Sequence, residues 1–255
     1  MEPRLWCGVC EYCREGRTTL CPQGLLIGAQ LAGGLADFID IPEKQLYPVD
    51  ASLSYKEGAL TEPFSICVRA VNMAELHRDT HVLILGAGSL GLISGLLARD
   101  TAERVAVSVR YPHQEAAAKA LGLETVSEAD VVEFAKDFEP DVVIETVGGT
   151  ANTMEQATAA ARPGARIIVL GLFSIQPALD MGALIRKELK IMGSAFQGMS
   201  AHGSEFRAAT KLLPRYRSEL KTLQTHQFPL SDIVGAFACA VDRSAQAIKI
   251  TVLPE

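Results

Sequence analysis

Four cysteines close together in the sequence have the types and spacing of a metal site. They are Cys7, Cys10, Cys13 and Cys21, in the pattern C-x2-C-x2-C-x7-C. Two-residue gaps let neighbouring thiolates turn toward one ion, and four thiolates with no open position are typical of a structural, tetrahedral Zn²⁺ site. We therefore predict that these four cysteines bind zinc.

Two other interpretations of the cysteines stay open. The first is an iron–sulfur cluster, because the first three cysteines and the Cys21-Pro22 pair are similar to the cysteine pattern of bacterial ferredoxins. The last gap, however, has seven residues where three are expected. The four could also be incidental surface cysteines.

The first residues lack the charged and apolar pattern of an export signal. We therefore expect a cytoplasmic, reducing environment, in which clustered thiols are metal ligands before they are disulfides.

Residues 82–91, VLILGAGSLG, have the pattern of a pyrophosphate-binding turn. A short apolar strand runs into G-x-G-x-x-G, and a helix is predicted from there to about residue 99. Gly86 permits the tight turn, Gly88 lets a pyrophosphate approach the backbone, and Gly91 lets helix and strand pack closely. The first-turn N–H groups of the helix would meet the phosphates. The candidate pyrophosphate-binding residues are Gly86, Gly88, Ser89, Leu90 and Gly91.

The end of the second predicted strand should select the cofactor. An NAD site places a carboxylate there for the ribose hydroxyls, but this chain has Val109. Its neighbours are Ser108, Arg110 and Tyr111, and a guanidinium can pair with a 2′-phosphate while a hydroxyl adds a hydrogen bond. We predict NADP, with NAD as the alternative. In that alternative Arg110 is a solvated surface charge.

The elements that would position these residues alternate along the chain. Further strands are predicted over 104–109, 141–145, 166–171 and 189–194, with helices over 113–122 and 151–161. Apolar strands that alternate with helices predict a parallel sheet covered on both faces. We thus expect an α/β fold, a Rossmann-type doubly wound domain over residues 76–224, with ligand at the carboxyl ends of the strands. An α/β domain that binds no dinucleotide is the alternative.

Composition excludes several classes of partner. The 255 residues are 48% hydrophobic and 21% charged, as in globular domains, and the formal net charge of −6 with no Lys/Arg block argues against nucleic acid and anionic membranes. The uncharged run 82–98 is shorter than the roughly 20 residues of a membrane-spanning helix. Its four glycines favour a buried strand and turn.

A cysteine knuckle followed by the glycine fingerprint resembles the zinc-containing medium-chain alcohol dehydrogenases. Residues 33–50 resemble the barrel strands that follow the knuckle in that family, and residues 59–71 resemble the helix that enters the cofactor domain. Residues 228–254 resemble the closing helix and strand. The resemblance implies a second, GroES-like β-barrel domain formed by residues 1–75 and 225–255. We expect this barrel to be incomplete, with an open sheet edge and exposed apolar surface.

The resemblance also implies roles for residues outside the two motifs. Glu62, in T-E-P, resembles the glutamate of the polyol, sorbitol and threonine dehydrogenase branch that is a ligand or near-ligand of the catalytic zinc; it could equally be a helix N-terminal carboxylate favoured by the dipole. Lys249 would lie near the cofactor phosphates, or be a surface lysine at a strand edge. The backbone around the nicotinamide would come from Thr146, Gly171, Leu172 and Ser194.

The function that the resemblance implies is zinc-dependent, NADP-linked oxidation of a secondary alcohol or polyol. The family's catalytic Cys and His ligands come from motifs before the knuckle that this sequence does not contain, and Cys67 and Cys239 do not stand in either context. We therefore expect an incomplete catalytic zinc site, and the enzymatic activity stays open. Either Met1 is a mis-assigned start with the motifs encoded upstream, or the chain is a non-catalytic remnant that binds dinucleotide and zinc.

Strand 190–195 at a sheet edge would pair subunits in a homodimer or homotetramer.

Overall fold

The computed structural model describes residues 1–200 and 203–254. Its contacts divide the chain into a first unit, Met1–Arg69 with Phe196–Glu255, and a second unit, Ala70–Ala195. The segment 196–224, which we expected in the dinucleotide-binding domain, thus lies with the first unit. The proposed domain boundaries otherwise stay predictions.

Twelve strands and eleven α-helices are formed by the described residues. The strands are β1 (Arg4–Leu5), β2 (Leu25–Leu26), β3 (His81–Leu85), β4 (Arg104–Val109), β5 (Glu124–Ser127), β6 (Val142–Glu145), β7 (Arg166–Val169), β8 (Lys190–Gly193), β9 (Met199–Ser200), β10 (Gly203–Ser204), β11 (His226–Pro229) and β12 (Ile250–Leu253). The helices are α1 (Glu11–Arg14), α2 (Tyr55–Gly58), α3 (Thr61–Ala74), α4 (Ser89–Ala98), α5 (Pro112–Ala120), α6 (Val131–Phe138), α7 (Thr153–Ala160), α8 (Met181–Arg186), α9 (Glu205–Leu212), α10 (Arg217–Leu220) and α11 (Ile233–Val241).

The second unit is a six-stranded parallel sheet in the order β5-β4-β3-β6-β7-β8. The chain starts at β3 in the middle, moves outward to β5, and then crosses to β6 on the other side. The crevice between these two directions is the topological switch point at which open α/β sheets bind ligands. The predicted α/β, Rossmann-type fold is therefore confirmed.

The core of the second unit fills the space between the sheet and its helices. Leu85, Val143 and Ile167 from the strands pack with Phe138 and Ala157 from α6 and α7, and all five are buried. Continuous burial along β3 and β6 is what a parallel sheet covered on both faces requires.

Three elements of this unit, β5, α6 and α8, were not predicted from the sequence. The β5 sequence ETVS is short and three of its four residues are polar, so it carries no apolar run to mark it. It forms because β4 offers its edge, pairing Val109 with Ser127 in parallel register. This pairing determines what faces Arg110.

The first unit contains only two-stranded pairings among its described residues: β1 with β2, β9 with β10, and β11 with β12. The expectation of barrel strands over 33–50 was wrong, because that segment forms only the 3-10 helix Glu43–Gln45. Gln45 is fully buried there, and its side-chain amide donates to the carbonyl oxygens of Glu2 and Arg4 instead of joining a sheet ladder. The closing helix and strand predicted over 228–254 are confirmed as α11 and β12.

Several large apolar side chains of this unit are exposed: Leu35, Phe38, Val234, Phe237 and Val241. None of the helices in the described part of the chain has the length and apolar character needed to cross a membrane.

Candidate functional site

The glycine loop after β3 has two positions at which a side chain would collide with neighbouring atoms. Gly86 has φ +100°, in the left-handed region, and a Cβ there would lie 2.6 Å from Cγ2 of Val147. A Cβ on Gly91, in the first turn of α4, would overlap the Gly86 carbonyl oxygen. These two glycines are therefore required for the turn and for the close packing of α4 on the strand, as predicted.

Gly88 differs, because it faces open space. Apart from its own chain neighbours, no described residue has an atom within 4 Å of the position that its Cβ would take. Gly88 also precedes α4 as its N-cap and offers no side-chain acceptor to the first-turn N–H groups, which include those of Ser89 and Leu90. An open approach to the start of a helix suits an anion such as a pyrophosphate.

A cavity of about 270 Å³ opens beside this loop at the switch point. It is lined by residues from the carboxyl ends of β3, β4 and β6 and from the segments that follow β3, β4, β5 and β6: Gly86, Ala87, Gly88, Ser108, Arg110, Tyr111, Gln114, Glu128, Thr146, Val147, Thr153 and Gln156. The wall thus contains two of the predicted pyrophosphate-binding residues, Gly86 and Gly88, together with the three predicted cofactor-selecting residues, while Ser89, Leu90 and Gly91 lie outside it.

Arg110 does not stand free in this cavity. It follows β4, and Glu128 follows β5, so the register of Val109 with Ser127 brings the two side chains together. The guanidinium donates from Nε to Glu128 Oε2 and, at 2.6 Å, from Nη2 to Oε1. The pair is partly exposed, at 46% for Arg110 and 34% for Glu128. Its hydrogen bonds lower the pKa of Glu128 and raise that of Arg110, so both groups are charged at neutral pH.

The other two cofactor-selecting candidates shape the same corner. Ser108 is buried, and its hydroxyl oxygen accepts the Gly86 N–H at 2.9 Å, so it ties the end of β4 to the glycine loop. Tyr111 begins the turn into α5, where its ring stacks on His113 at 5.6 Å. Gln114, which the sequence analysis missed, accepts the N–H groups of Arg110 and Tyr111 with Oε1 and holds that turn.

The four residues that the resemblance places around the nicotinamide lie at the carboxyl ends of β6, β7 and β8. Thr146 lines the cavity, and its hydroxyl donates to the Leu85 carbonyl oxygen at 2.9 Å. Gly171 and Leu172 follow β7, with Leu172 88% exposed and its carbonyl oxygen accepting the Gly149 N–H at 2.8 Å. Ser194 follows β8 and is buried. These three do not belong to the wall of the 270 Å³ cavity.

Glu145, at the end of β6, organises the loops at this edge and was not identified from the sequence. Its side chain is fully buried. Oε1 accepts from the N–H groups of Val147 and Gly148 and from the Thr153 hydroxyl, at 2.7 to 2.9 Å. Oε2 has no hydrogen-bond partner among the described residues and lies against Gly171, where a Cβ would overlap it. The carboxylate therefore fixes the loop that forms one wall of the cavity.

The four clustered cysteines of the first unit come together as predicted. Their sulfur atoms all lie within 4.8 Å of one another, and Cys7 Sγ is 3.9 Å from Cys13 Sγ. A tetrahedral ion with Zn–S bonds of about 2.3 Å needs sulfurs roughly 3.8 Å apart. The set therefore fits one ion better than a cluster whose cysteines are spread over several iron atoms. The sequence positions are Cys7, Cys10, Cys13 and Cys21.

The backbone around the cysteines favours a thiolate at Cys7. The N–H groups of Val9 and Cys10 point at Cys7 Sγ at 3.5 and 3.3 Å, and they lower the pKa of this thiol to about 6. Loss of solvation raises the pKa of Cys13 to about 12. The two thiols thus differ in pKa although they lie close together. A bound cation would favour the thiolate form of both.

Glu62 lies in the first turn of α3, which satisfies the helix-terminus interpretation. Burial raises the pKa of its carboxyl, and the positive charge of Lys249 opposes that shift, so these two residues of the first unit interact. Within the described residues, the cysteine cluster is the sole group of three or more Cys, His, Asp or Glu ligand atoms that could hold a metal, and Glu62 is not part of it.

Comparison with known proteins assigns the family. A family model described as zinc-binding dehydrogenase matches residues 89–215. The sorbitol dehydrogenase of Bacillus subtilis is 29% identical over 100% of this chain and 73% of its own length. The 2-dehydro-3-deoxy-L-galactonate 5-dehydrogenase of Pseudoalteromonas atlantica is 27% identical over 99% of this chain and 74% of its own length. The chain belongs to the zinc-containing medium-chain alcohol dehydrogenase family.

Solved structures of zinc-type dehydrogenases superpose on nearly the whole chain. A Sinorhizobium meliloti protein assigned as a zinc-binding dehydrogenase and solved bound to NADP has a TM-score of 0.89 and 28% identity, over 99% of this chain and 75% of its own. Galactitol-1-phosphate dehydrogenase of Escherichia coli has a TM-score of 0.88 and 25% identity, over 99% and 76%. The chain thus spans about three quarters of these medium-chain dehydrogenases, and the predicted family is confirmed.

Proposed function

We propose that this chain is a zinc-binding, NAD(P)-dependent oxidoreductase that transfers hydride between a nicotinamide cofactor and a secondary alcohol or polyol. The observation that carries the proposal is the glycine-lined cavity at the switch point, with an open approach to Gly88 and the start of α4. The Bacillus subtilis relative named for sorbitol supports the substrate class. We expect a cytoplasmic enzyme without nucleic-acid or membrane partners.

We propose NADP as the preferred cofactor and NAD as the alternative. Arg110 is the cation beside the cavity wall, and the chain has Val109 where NAD sites place a carboxylate at the end of the second strand. The NADP found in the Sinorhizobium meliloti structure supports the same choice.

Each part of the cavity has a separate task in this proposal. The turn at Gly86 and the N–H groups at the start of α4 would hold the pyrophosphate, and Arg110 would hold the 2′-phosphate. Glu145 would keep the loop of Thr146 in place beside the cofactor, since it binds that loop through three donors. The chemistry that the cofactor supplies when bound is hydride transfer.

The cysteine cluster would hold a structural Zn²⁺, because four thiol donors leave no position for substrate. Zinc content measured by mass spectrometry should be at least one ion per chain, and Cys13→Ser should lose that ion and lower the melting temperature. Cys239→Ser, outside the cluster, is the matched control and should change neither. Equal zinc content in the two variants would contradict the site.

The test of the whole proposal is binding together with turnover. NADPH titrated into the protein should bind more tightly than NADH, and a panel of polyols should drive NADP⁺ reduction. Protein that binds neither nucleotide would refute the proposal.

A second candidate function is supported by the single group of metal ligands among the described residues. In that case the chain binds dinucleotide and one structural zinc without catalysis. One zinc per chain with NADPH binding and no turnover would favour this candidate. A second zinc with alcohol oxidation would favour the enzyme and a metal role for Glu62.

A further inference from the structure

Glu128 is the one acidic side chain in the wall of the cofactor cavity, as far as the chain is described, and it is bound to the residue proposed to choose the cofactor. Both of its oxygens are used, so one whole edge of the Arg110 guanidinium, formed by Nε and Nη2, is occupied by a carboxylate. Arginine presents five N–H donors in a planar fork. The donors that Glu128 does not use are those of Nη1 and the second N–H of Nη2, and the Tyr111 side chain also interacts with the guanidinium.

Because Glu128 is paired with Arg110, a 2′-phosphate bound there would experience both a positive and a negative charge. A phosphate monoester carries about −1.5 to −2 charges at pH 7. Near the Arg110–Glu128 pair it would be attracted by one positive charge and repelled by one negative charge only a side chain away. A 2′-hydroxyl carries no charge and is not repelled by Glu128. The carboxylate therefore weakens binding of NADP relative to binding of NAD.

The pair has a second consequence, because it holds the guanidinium in place. The carboxylate accepts from both Nε and Nη2, which fixes the plane of the fork beside the cavity before any ligand arrives. Glu128 can be fixed in turn because β5 pairs with β4 in register, so its position comes from the sheet and not from a mobile loop.

We propose that Glu128 is a specificity-determining residue, a built-in counter-ion of Arg110 that reduces the margin by which the site prefers a 2′-phosphate over a 2′-hydroxyl. This inference rests on the proposed function, since it needs a dinucleotide in the cavity. The preference between NADP and NAD would then depend on two residues, Arg110 after β4 and Glu128 after β5. The sequence pattern had pointed only to the residues at the end of β4.

The test uses two ligands that differ only in the 2′-phosphate, adenosine 2′,5′-bisphosphate and 5′-AMP, titrated calorimetrically into the full chain. Glu128→Gln keeps the size of the side chain and an oxygen that can accept from Arg110, but removes the charge. We expect it to increase affinity for the bisphosphate about three- to tenfold and to change affinity for 5′-AMP less than twofold, the size expected for one partly screened charge. The gain should shrink as salt is added.

Glu133→Gln is the matched control, because Glu133 is an exposed glutamate of α6 paired with Lys136 and does not line the cavity. It should leave both affinities unchanged. If Glu128→Gln leaves the ratio of the two affinities unchanged or lowers it, the inference is wrong while the proposed function stands. If wild-type protein binds neither ligand, the proposed function is wrong and this inference with it.

Discussion

At the scale of single residues, the three fingerprint glycines meet different physical demands. Gly86 and Gly91 are required by contacts inside the protein, since a Cβ on either would collide with neighbouring atoms. Gly88 is under no such constraint from the described residues, which fits the place beside the pyrophosphate that we propose for it. Substitution by alanine should separate the two reasons.

Gly91→Ala should destabilise the chain by about 1 to 3 kcal/mol, since the new methyl overlaps a backbone oxygen that cannot move freely. Gly88→Ala should cost less than about 1 kcal/mol, the size of an N-cap effect, yet weaken NADPH binding at least tenfold. Urea denaturation and calorimetry measure the two quantities. Tight NADPH binding by Gly88→Ala would contradict the role of this residue at the pyrophosphate.

Glu145 shows how one buried carboxylate depends on its donors. Thr153→Val keeps the shape of the side chain but removes the hydroxyl that donates to Oε1 at 2.7 Å. Loss of a donor to a buried carboxyl oxygen should cost about 1 to 3 kcal/mol of unfolding free energy. Thr150→Val, at an exposed position of the same loop, is the control and should change stability by less than about 0.5 kcal/mol.

At the scale of elements, helix α2 is held by a carboxylate with two functions. Glu57 forms a capping box with Ser54, and it also accepts from Arg217 Nε at 2.5 Å and from Nη2 at 3.2 Å. The Arg217 hydrogen bond is the main reason that the pKa of Glu57 is lowered from its ordinary 4.5 to about 2. One residue thus links the start of a single-turn helix to a segment far along the chain.

This link predicts a pH dependence of stability. Between pH 4.5 and 2 the unfolded chain binds a proton at Glu57 that the folded chain does not, so stability should fall as pH falls through this window. Glu57→Gln should be less stable at pH 7 and show a flatter stability profile from pH 4.5 to 2. Glu15→Gln, which removes an exposed ion pair with Arg17, should keep the wild-type slope. An unchanged slope in Glu57→Gln would contradict the assignment.

At the scale of the whole molecule, the open edge of the sheet offers a route to assembly. β8 is the last strand of the six-stranded sheet, and among the described residues it pairs on one side only, with β7. Lys190 and Ser194 donate their N–H groups toward β7, so alternation places those of Ile191 and Gly193 on the outer side. An unpaired strand edge of this kind is a template for a second copy of the chain, in line with the proposed homodimer or homotetramer.

Gly193→Pro should therefore weaken the oligomer, because proline removes an outward N–H without removing a donor to β7. Gly193→Ala is the matched control: its Cβ meets no described atom within 4 Å, and it keeps the N–H. Sedimentation equilibrium should show a smaller mean mass for the proline variant alone. Equal masses for both variants, with the fold intact by circular dichroism, would contradict assembly through this edge.

Much of this molecule could be predicted from local sequence. The glycine fingerprint, the apolar strands of the sheet and the cysteine knuckle are encoded by residues close together in the chain, and the structure forms them where expected. The barrel strands predicted over 33–50 did not form, since a strand needs a partner for its N–H and C=O groups and the described residues of this segment form no strand pairing. β5 was missed for the opposite reason, because its pairing with β4 compensates for a weak local pattern.

The sequence alone determined the family, the α/β fold and the residues that could bind zinc and a dinucleotide, because these depend on short-range spacing and periodicity. Only the tertiary structure decided that Arg110 is held by Glu128 and that Glu145 supports the cavity wall. The Arg110–Glu128 pair and the Thr153–Glu145 hydrogen bond join residues 18 and 8 positions apart through strand register and loop closure, and no local pattern specifies which of these side chains will meet.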